Sequence, residues 1–316
     1  MGEFELIARH FTRPVRRAAL GVGDDCALLR VEPGQQLAVS SDMLVEGRHF
    51  LSTVPPERLG HKALAVNLSD LAACGAEPLA FTLALSLPSA DEVFVAGLAR
   101  GMFALADRHG IELVGGDTTA GPLNLCITVM GQVPPGQALL RSGARAGDTL
   151  WVSGTLGDAR LALEVFRGQV SLPGEAFERV RRAMECPEPR VALGLALRGV
   201  ASAAIDVSDG LAGDLGHILE RSGLGAELQA AALPRSVVLA AQAPALQHEC
   251  LLHGGDDYEL LFAAPPAQTD AVQRAAASAG VPVTAIGRLR AKPGLDLVGP
   301  DGSRQALAAR GFDHFA

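Results

Sequence analysis

Two hydrophobic periods alternate along the chain. Leu64, Leu68 and Leu71 recur at three- and four-residue steps within Glu57–Cys74, which predicts an amphipathic helix opened by Pro55-Pro56 and closed by Gly75. Asp91–His109 predicts a second helix, with Gly110 as its C-cap. Around them stand apolar runs of strand length: Leu79–Leu87, Ile111–Val114 and Leu123–Val133, the last with Leu123, Leu125, Ile127 and Val129 on one face. Upstream, Glu3–Phe11 reads as a short helix and Cys26–Val31 and Leu37–Ser40 as strands. Met43–Ser52 has no period and reads as a loop.

Pro134-Pro135-Gly136 interrupts the pattern, which then resumes. Strands are expected at Thr149–Ser153, Ala203–Ile205, Ala226–Leu228, Leu260–Ala263 and Val283–Ile286. Helices are expected over Asp158–Arg167, Glu175–Met184, Arg190–Leu197, Ser236–Gln242 and Gln268–Ala279. Leu211, Leu215, Ile218 and Leu219 mark one more helix, for which Ser208 or Asp209 is the expected N-cap. Strands alternate with helices throughout, so the chain reads as two α/β domains, 1–136 and 137–316. Sheet direction does not follow from this pattern.

Composition narrows the function. The 316 residues carry 27 basic and 35 acidic side chains, a net charge of −8 that disfavours nucleic-acid binding. Lys62 and Lys292 are the only lysines, and no G-x-x-x-x-G-K-[ST] loop exists, so phosphate chemistry would fall to arginine and metal ions. The five cysteines form no C-x-x-C pair, which points to reduced thiols in a cytoplasm. The most apolar stretch, Ala63–Leu87, is broken by Asn67, Asp70, Glu77 and Pro78, so no membrane span is expected.

The candidate chemistry lies in acidic loops of one form. Gly23-Asp24-Asp25, Ser40-Ser41-Asp42, Gly115-Gly116-Asp117-Thr118-Thr119 and Asp206-Val207-Ser208-Asp209-Gly210 each set a carboxylate at the expected end of an element, beside glycine or a hydroxyl residue. Asp70 comes from a helix, three residues after Asn67. Glycine admits a ligand close to the backbone, and hydroxyls and carboxylates are the hard oxygen ligands of Mg²⁺. One such loop is ordinarily only a turn. Several, on two domains, suit a nucleoside triphosphate held with more than one Mg²⁺.

These loops stand among motifs that carry a resemblance. In order, the chain has Gly21-Val22-Gly23-Asp24-Asp25, Ser40-Ser41-Asp42, Glu46-Gly47-Arg48-His49-Phe50, Asn67-Leu68-Ser69-Asp70-Leu71, Gly115–Thr119, Arg141-Ser142-Gly143-Ala144 with Gly147-Asp148, Ile205–Leu211 and Gly254–Leu260. Over nearly its whole length it resembles the thiamine-monophosphate kinases, within the fold family of aminoimidazole ribonucleotide synthetase and selenophosphate synthetase. The resemblance implies two α/β domains, a homodimer formed by the N-terminal domain, and ATP-dependent phosphorylation of thiamine monophosphate to thiamine diphosphate. It further implies that Asp25, Ser40, Ser41, Asp42, Asp70, Asp117, Asp206 and Asp209 ligate several Mg²⁺ ions. Gly116, Asp117, Arg141 and Ser208 would contact ATP, and His49, Glu259 and Phe312 the thiamine phosphate. Asp42, Asp117, Arg141 and Asp206 are the residues on which turnover would depend. Ser41 stands where many members have Thr, Asp256 where Glu is frequent, and Phe312 where Trp or Tyr is expected; the last keeps a ring for stacking and loses its polar handle.

The rival readings have their own signatures. A selenophosphate synthetase would place a reactive cysteine near the N-terminus, whereas the first here is Cys26. Hydrogenase-maturation relatives end in a modified cysteine, and this sequence ends in Phe315-Ala316. Gly255-Asp256-Asp257 begins like the motif of nucleotide cyclases, but Tyr258-Glu259 does not continue it. A non-catalytic nucleotide-binding regulator would bind Mg·ATP and form no diphosphate.

Overall fold

The computed structural model describes residues 2–309 and 311. The chain parts into two units, Met1–Leu71 with Ala76–Gly136, and Ala72–Gly75 with Gln137–Ala316.

In the first unit a short helix, α1 (Glu3–Leu6), runs into a π-helical turn, Ile7–Phe11. Then follow β1 (Gln36–Val45), α2 (Pro56–Ala73), β2 (Glu77–Leu87), α3 (Glu92–His109), β3 (Glu112–Ala120) and β4 (Asn124–Val133). The strands form one sheet in the order β1-β4-β2-β3. β4 pairs antiparallel with β1 and β2, while β2 and β3, joined through α3, run parallel. Leu125, Ile127 and Val129 of β4 are buried, and the residues between them only partly so. Helices α2 and α3 touch backbone to backbone. A Cβ on Gly60 would stand 1.9 Å from the Leu98 carbonyl oxygen, and one on Gly101 1.7 Å from that of Glu57. Asp91 caps α3 by accepting the amides of Val93 and Phe94, and Gly110 closes it in the left-handed region at φ 62°.

Three expectations about this unit need correction. Cys26–Val31 is no strand; its pairing is an isolated bridge between Leu20 and Leu28. Ser40-Ser41-Asp42 lies inside β1 rather than at its end, because β4 pairs with all ten residues of β1. Gly115–Thr119 likewise continues β3 along β2 instead of forming a loop after it. Polar residues and glycines suggest a strand end in sequence, but a long partner strand keeps the ladder going.

The second unit contains β5 (Thr149–Ser153), α4 (Asp158–Phe166), α5 (Gly174–Glu185), α6 (Val191–Ala196), β6 (Ala203–Asp206), α7 (Leu211–Ser222) and β7 (Gly225–Gln229). It continues with α8 (Val237–Ala240), α9 (Pro244–His253), β8 (Leu260–Ala264), α10 (Thr269–Ala279), β9 (Val283–Arg290), β10 (Gly294–Val298) and β11 (Arg304–Leu307). Its sheet runs β11-β10-β7-β9-β5-β8-β6, parallel only between β10 and β7. Leu150, Val152, Ile205, Leu211, Leu215, Ile218, Leu261 and Ile286 lie in its core. Helix α9 and strands β10 and β11 are additions to the sequence reading. The antiparallel pairing of Asp206 with Leu260 sets the end of β6 beside the start of β8, and with it the turn after β6 beside the loop before β8.

Candidate functional site

In the first unit, alternation along β1 sends Ser40, Asp42 and Leu44 to one face and Ser41 and Met43 to the other. α2 lies over the first face. Ser40 Oγ donates to Asp70 Oδ2 at 2.5 Å, and Asn67 Oδ1 accepts the Asp42 amide at 3.0 Å. Ser40, Asp42 and Asp70, drawn from a strand and a helix, are thus brought together. Ser41 is turned from them and donates to the Ile127 carbonyl at 3.1 Å, with Thr128 Oγ1 at 3.0 Å. Asp117 shares the face of Ser41, because the register runs from Asp117 through Ala84 and Cys126 to Met43. Asp25 is exposed on the turn after Gly23.

Gly116 has a specific reason to be glycine. Its φ is 147°, and a Cβ there would stand 1.9 Å from the Leu83 carbonyl oxygen. Beside it a cavity of about 40 Å³ is lined by Ile7, Phe11, Leu83, Leu113 and Asp117, room for no more than a few waters.

His49 sits in the turn after β1. Its Nδ1 accepts the Val45 amide at 3.0 Å, which assigns the proton of the neutral ring to Nε2. Lys62, 2% exposed on α2, donates to the His49 carbonyl at 3.2 Å. In the sequence Lys62 is only one of two lysines, with nothing to mark its burial against this turn.

In the second unit, Asp206 closes β6, 4% exposed. Contrary to expectation, neither Ser208 nor Asp209 caps α7. The N-cap is Gly210, at φ 110° and ψ 147°, and no side chain caps the helix. The bonding runs the other way: Asp214, in the first turn of α7, accepts the amides of Ser208 and Asp209 on Oδ2, each at 3.0 Å. Burial, and then the charge of Asp206, push the Asp214 carboxyl up to about 8. Asp214 is not among the site residues expected from the sequence. Its signal was an aspartate on the buried side of an amphipathic helix, between Leu211 and Leu215.

The loop before β8 lies against this turn. Asp256 and Tyr258 donate their amides to the carbonyls of Ser208 and Val207, and Val207 donates to the Glu259 carbonyl, each at 2.8 Å. Asp256 and Tyr258 are left-handed, at φ 72° and 52°, which is uncommon for residues with a Cβ. Glu259, 5% exposed, accepts Arg190 Nε at 2.7 Å, Arg190 Nη2 at 2.5 Å and Ser153 Oγ at 2.5 Å. Asp257 accepts the Gly157 amide on both oxygens, and burial pushes its carboxyl well up. Arg141 is exposed; its carbonyl accepts Ser222 Oγ at 3.3 Å. Phe312 lies outside the described residues. A larger cavity of this unit, about 420 Å³ and lined by Gly216, Leu219, Leu224, Leu295 and Leu307, includes no predicted site residue.

Among the described residues, no three His, Cys, Asp or Glu side chains stand close enough to hold a metal ion. The donors fit Mg²⁺ by kind: each unit offers hydroxyl and carboxylate oxygens, and this ion keeps several waters or phosphate oxygens beside one or two carboxylates.

The AIR synthase related protein N-terminal domain matches residues 23–133, and the corresponding C-terminal domain matches residues 145–299. The thiamine-monophosphate kinase of Salmonella typhimurium is 46% identical, with 100% of this chain and 98% of that protein covered. Among solved structures, the thiamine-monophosphate kinase of Stenotrophomonas maltophilia aligns with a TM-score of 0.86 at 46% identity, over 95% of each chain. AaThiL complexed with AMPPCP and TMP aligns with a TM-score of 0.79 at 30% identity, over 90% of this chain and 89% of that one. With both domains matched in order and near-complete mutual coverage, the chain belongs to the AIR synthase related proteins and, within them, to the thiamine-monophosphate kinase family.

Proposed function

We infer that this chain transfers the γ-phosphoryl group of ATP to thiamine monophosphate, forming thiamine diphosphate and ADP. The observation that carries this reading is the likeness, at 30% identity, to a chain that binds an ATP analogue together with TMP. The acceptor is a phosphate monoester with a second pKa of about 6, already largely dianionic at neutral pH, so no strong general base is required. Its oxygen attacks the γ-phosphorus in line, and the bond from that phosphorus to the β-bridging oxygen breaks to release ADP, with no phosphoenzyme.

The difficulty is bringing two polyanions together. Arg141 neutralises and aligns phosphate oxygens. Ser40 and Asp42 of β1 with Asp70 of α2, Ser41 of β1 and Asp117 of β3 on the opposite face of the sheet, Asp25, and Asp206 and Asp209 in the second unit would be the oxygen donors for Mg²⁺, which when bound would neutralise phosphate charge. Gly116 and Ser208 meet the nucleotide. His49, presenting an Nε2–H donor, meets the substrate phosphate, with Phe312 toward the thiamine side.

We propose a homodimer through the open face of the N-terminal sheet. Leu37, Val39 and Met43 of β1 are exposed along it, 58% for Val39, and such an apolar stripe gains by covering. Val39→Arg is expected to convert the dimer to monomer in light scattering, and an unchanged mass refutes this interface. No described helix is long and apolar enough to cross a membrane. No disulfide joins the described cysteines, and a cytoplasmic enzyme keeps its thiols reduced.

The test is direct. Incubation with ATP, Mg²⁺ and thiamine monophosphate, with thiamine as the control acceptor, is expected to yield thiamine diphosphate. A protein that binds Mg·ATP and forms none is a regulator instead, and a phosphorylated protein trapped by rapid quench overturns the direct transfer.

A further inference from the structure

Glu259 has little left to offer a substrate. Both carboxylate oxygens are engaged, Oε1 by Arg190 Nη2 and Oε2 by Arg190 Nε and Ser153 Oγ. The fork is the bidentate arrangement that a guanidinium makes with a carboxylate. Ser153 ties it further into the sheet, because the same hydroxyl oxygen accepts the Leu260 amide at 2.9 Å. Gly154 leaves room for the pair: at φ 57°, a Cβ there would stand 1.9 Å from Glu259 Oε1.

Among the described residues, the pair sits at the end of the one stretch of left-handed backbone outside glycine. Asp256 and Tyr258 are the non-glycine residues at positive φ, and for a side chain as large as Tyr this conformation persists only when its surroundings dictate it. Those surroundings are identifiable. At one flank Gly255 meets the turn after β6, where a Cβ would lie 2.2 Å from the Ser208 carbonyl oxygen. Along the loop the amides of Asp256 and Tyr258 close on the carbonyls of Ser208 and Val207. At the other flank stands Glu259, clamped by Arg190. Released there, the loop would relax its left-handed residues and withdraw two donors from the turn that carries Asp206, Ser208 and Asp209.

We propose that Arg190 and Glu259 are positioning residues, a buried ion pair that locks the left-handed Asp256–Tyr258 loop against the Asp206–Asp209 turn, and that Glu259 acts through this pair rather than by touching thiamine phosphate. The proposal deepens the reading of that turn as part of the Mg·ATP site and rests on it.

The experiment compares Glu259→Gln, Arg190→Lys, Arg190→Ala and the Glu259→Gln, Arg190→Ala double variant in the full chain. If the pair positions the turn, kcat falls roughly 100-fold in Glu259→Gln and Arg190→Ala alike, as for a misplaced catalytic group. The KM for thiamine monophosphate stays within about twofold, since no uniform binding contact is lost. The double variant is no worse than either single one, and Arg190→Lys recovers part of the rate. Hydrogen exchange without substrates is the second readout. Amides of residues 206–209 and 254–259 exchange at least about tenfold faster in the variants while those of β5 keep their protection.

A KM for thiamine monophosphate raised in Glu259→Gln alone, with kcat and exchange unchanged, overturns the proposal and makes Glu259 a substrate contact. Should Arg190→Ala fail to fold, Arg190→Lys and Ser153→Ala carry the comparison. Asp206→Asn tests the underlying reading separately. Unchanged turnover there removes the turn from the metal site, and exchange in the Glu259 and Arg190 variants still decides whether the pair holds the loop.

Discussion

Two adjacent glycines in β3 face opposite fates on substitution. At Gly116 an added Cβ would stand 1.9 Å from the Leu83 carbonyl oxygen, where carbon and oxygen ordinarily approach no closer than about 3.3 Å. The shortfall is about 1.4 Å, close to a third of the roughly 4.8 Å spacing between strands. The obstacle is backbone of β2, which cannot rotate away as a side chain can. Gly116 also holds φ 147°, which a residue with a Cβ adopts at a cost of about 1–3 kcal/mol. Overpacking adds about 1–3 kcal/mol, so Gly116→Ala is expected to cost about 2–6 kcal/mol in all. Against the 5–15 kcal/mol that typically holds a domain together, that is a large share. Gly115→Ala is the control. Its nearest neighbour would be Thr82 Cγ2 at 3.9 Å, and its φ is not left-handed, so stability should hold or rise slightly. Thermal and urea unfolding of the two variants beside the parent protein measure the difference, with the first unit's transition followed separately if the two units melt apart. Gly116→Ala is further expected to lower turnover, because the shifted strand carries Asp117. Equal midpoints for the two variants would refute the close approach of β3 to β2 at this point.

Three further outcomes are expected. Asp42→Asn and Asp206→Asn each lower kcat by at least about 100-fold, the scale of losing one transition-state electrostatic contact, with circular dichroism unchanged; near-normal turnover in both refutes the metal assignment. Chelation of divalent ions abolishes thiamine diphosphate formation and added Mg²⁺ restores it, whereas turnover that persists in chelator shows that Arg141 and the backbone suffice. For Asp257, burial raises the folded carboxyl, so the native state binds the proton more tightly than the unfolded chain does. Stability of the second unit therefore falls as pH rises from the unfolded value, about 3.9, toward the folded one, with a slope of at most about 1.4 kcal/mol per pH unit. Asp257→Asn is expected to flatten that slope in urea titrations across pH, and an identical slope in the variant assigns it to another group.

Much of the first unit's framework is written in its local sequence. The Leu64, Leu68, Leu71 stripe gave α2, and Asp91 and Gly110 bounded α3, because caps and periodicity act within a few residues of themselves. In the second unit, the bounds of β5 were equally plain from an apolar run followed by glycine. Helix α9 was not. Cys250, Leu251 and Leu252 are consecutive buried residues at its end rather than a stripe along one face, so no helical period announces it.

The ordered motifs of the sequence, from Gly21–Asp25 to Gly254–Leu260, determined the family and named candidate oxygen donors and candidate phosphate contacts. Tertiary structure alone decided how those residues are grouped. β4, pairing along the whole of β1, carried Ser40-Ser41-Asp42 into mid-strand and so divided Ser41 from its neighbours, since side chains alternate across a sheet. Which glycine of the pair 115–116 cannot be replaced depends on a carbonyl of another strand. Asp214 serves the Ser208 and Asp209 amides because Gly210, not a side chain, starts the helix. Arg190 meets Glu259 across 69 positions of sequence. Each of these depends on a partner that is distant in sequence, or on a backbone angle that composition does not record. A single sequence therefore identifies what this protein is made to handle, and the fold decides which of its side chains touch and which hold the others in place.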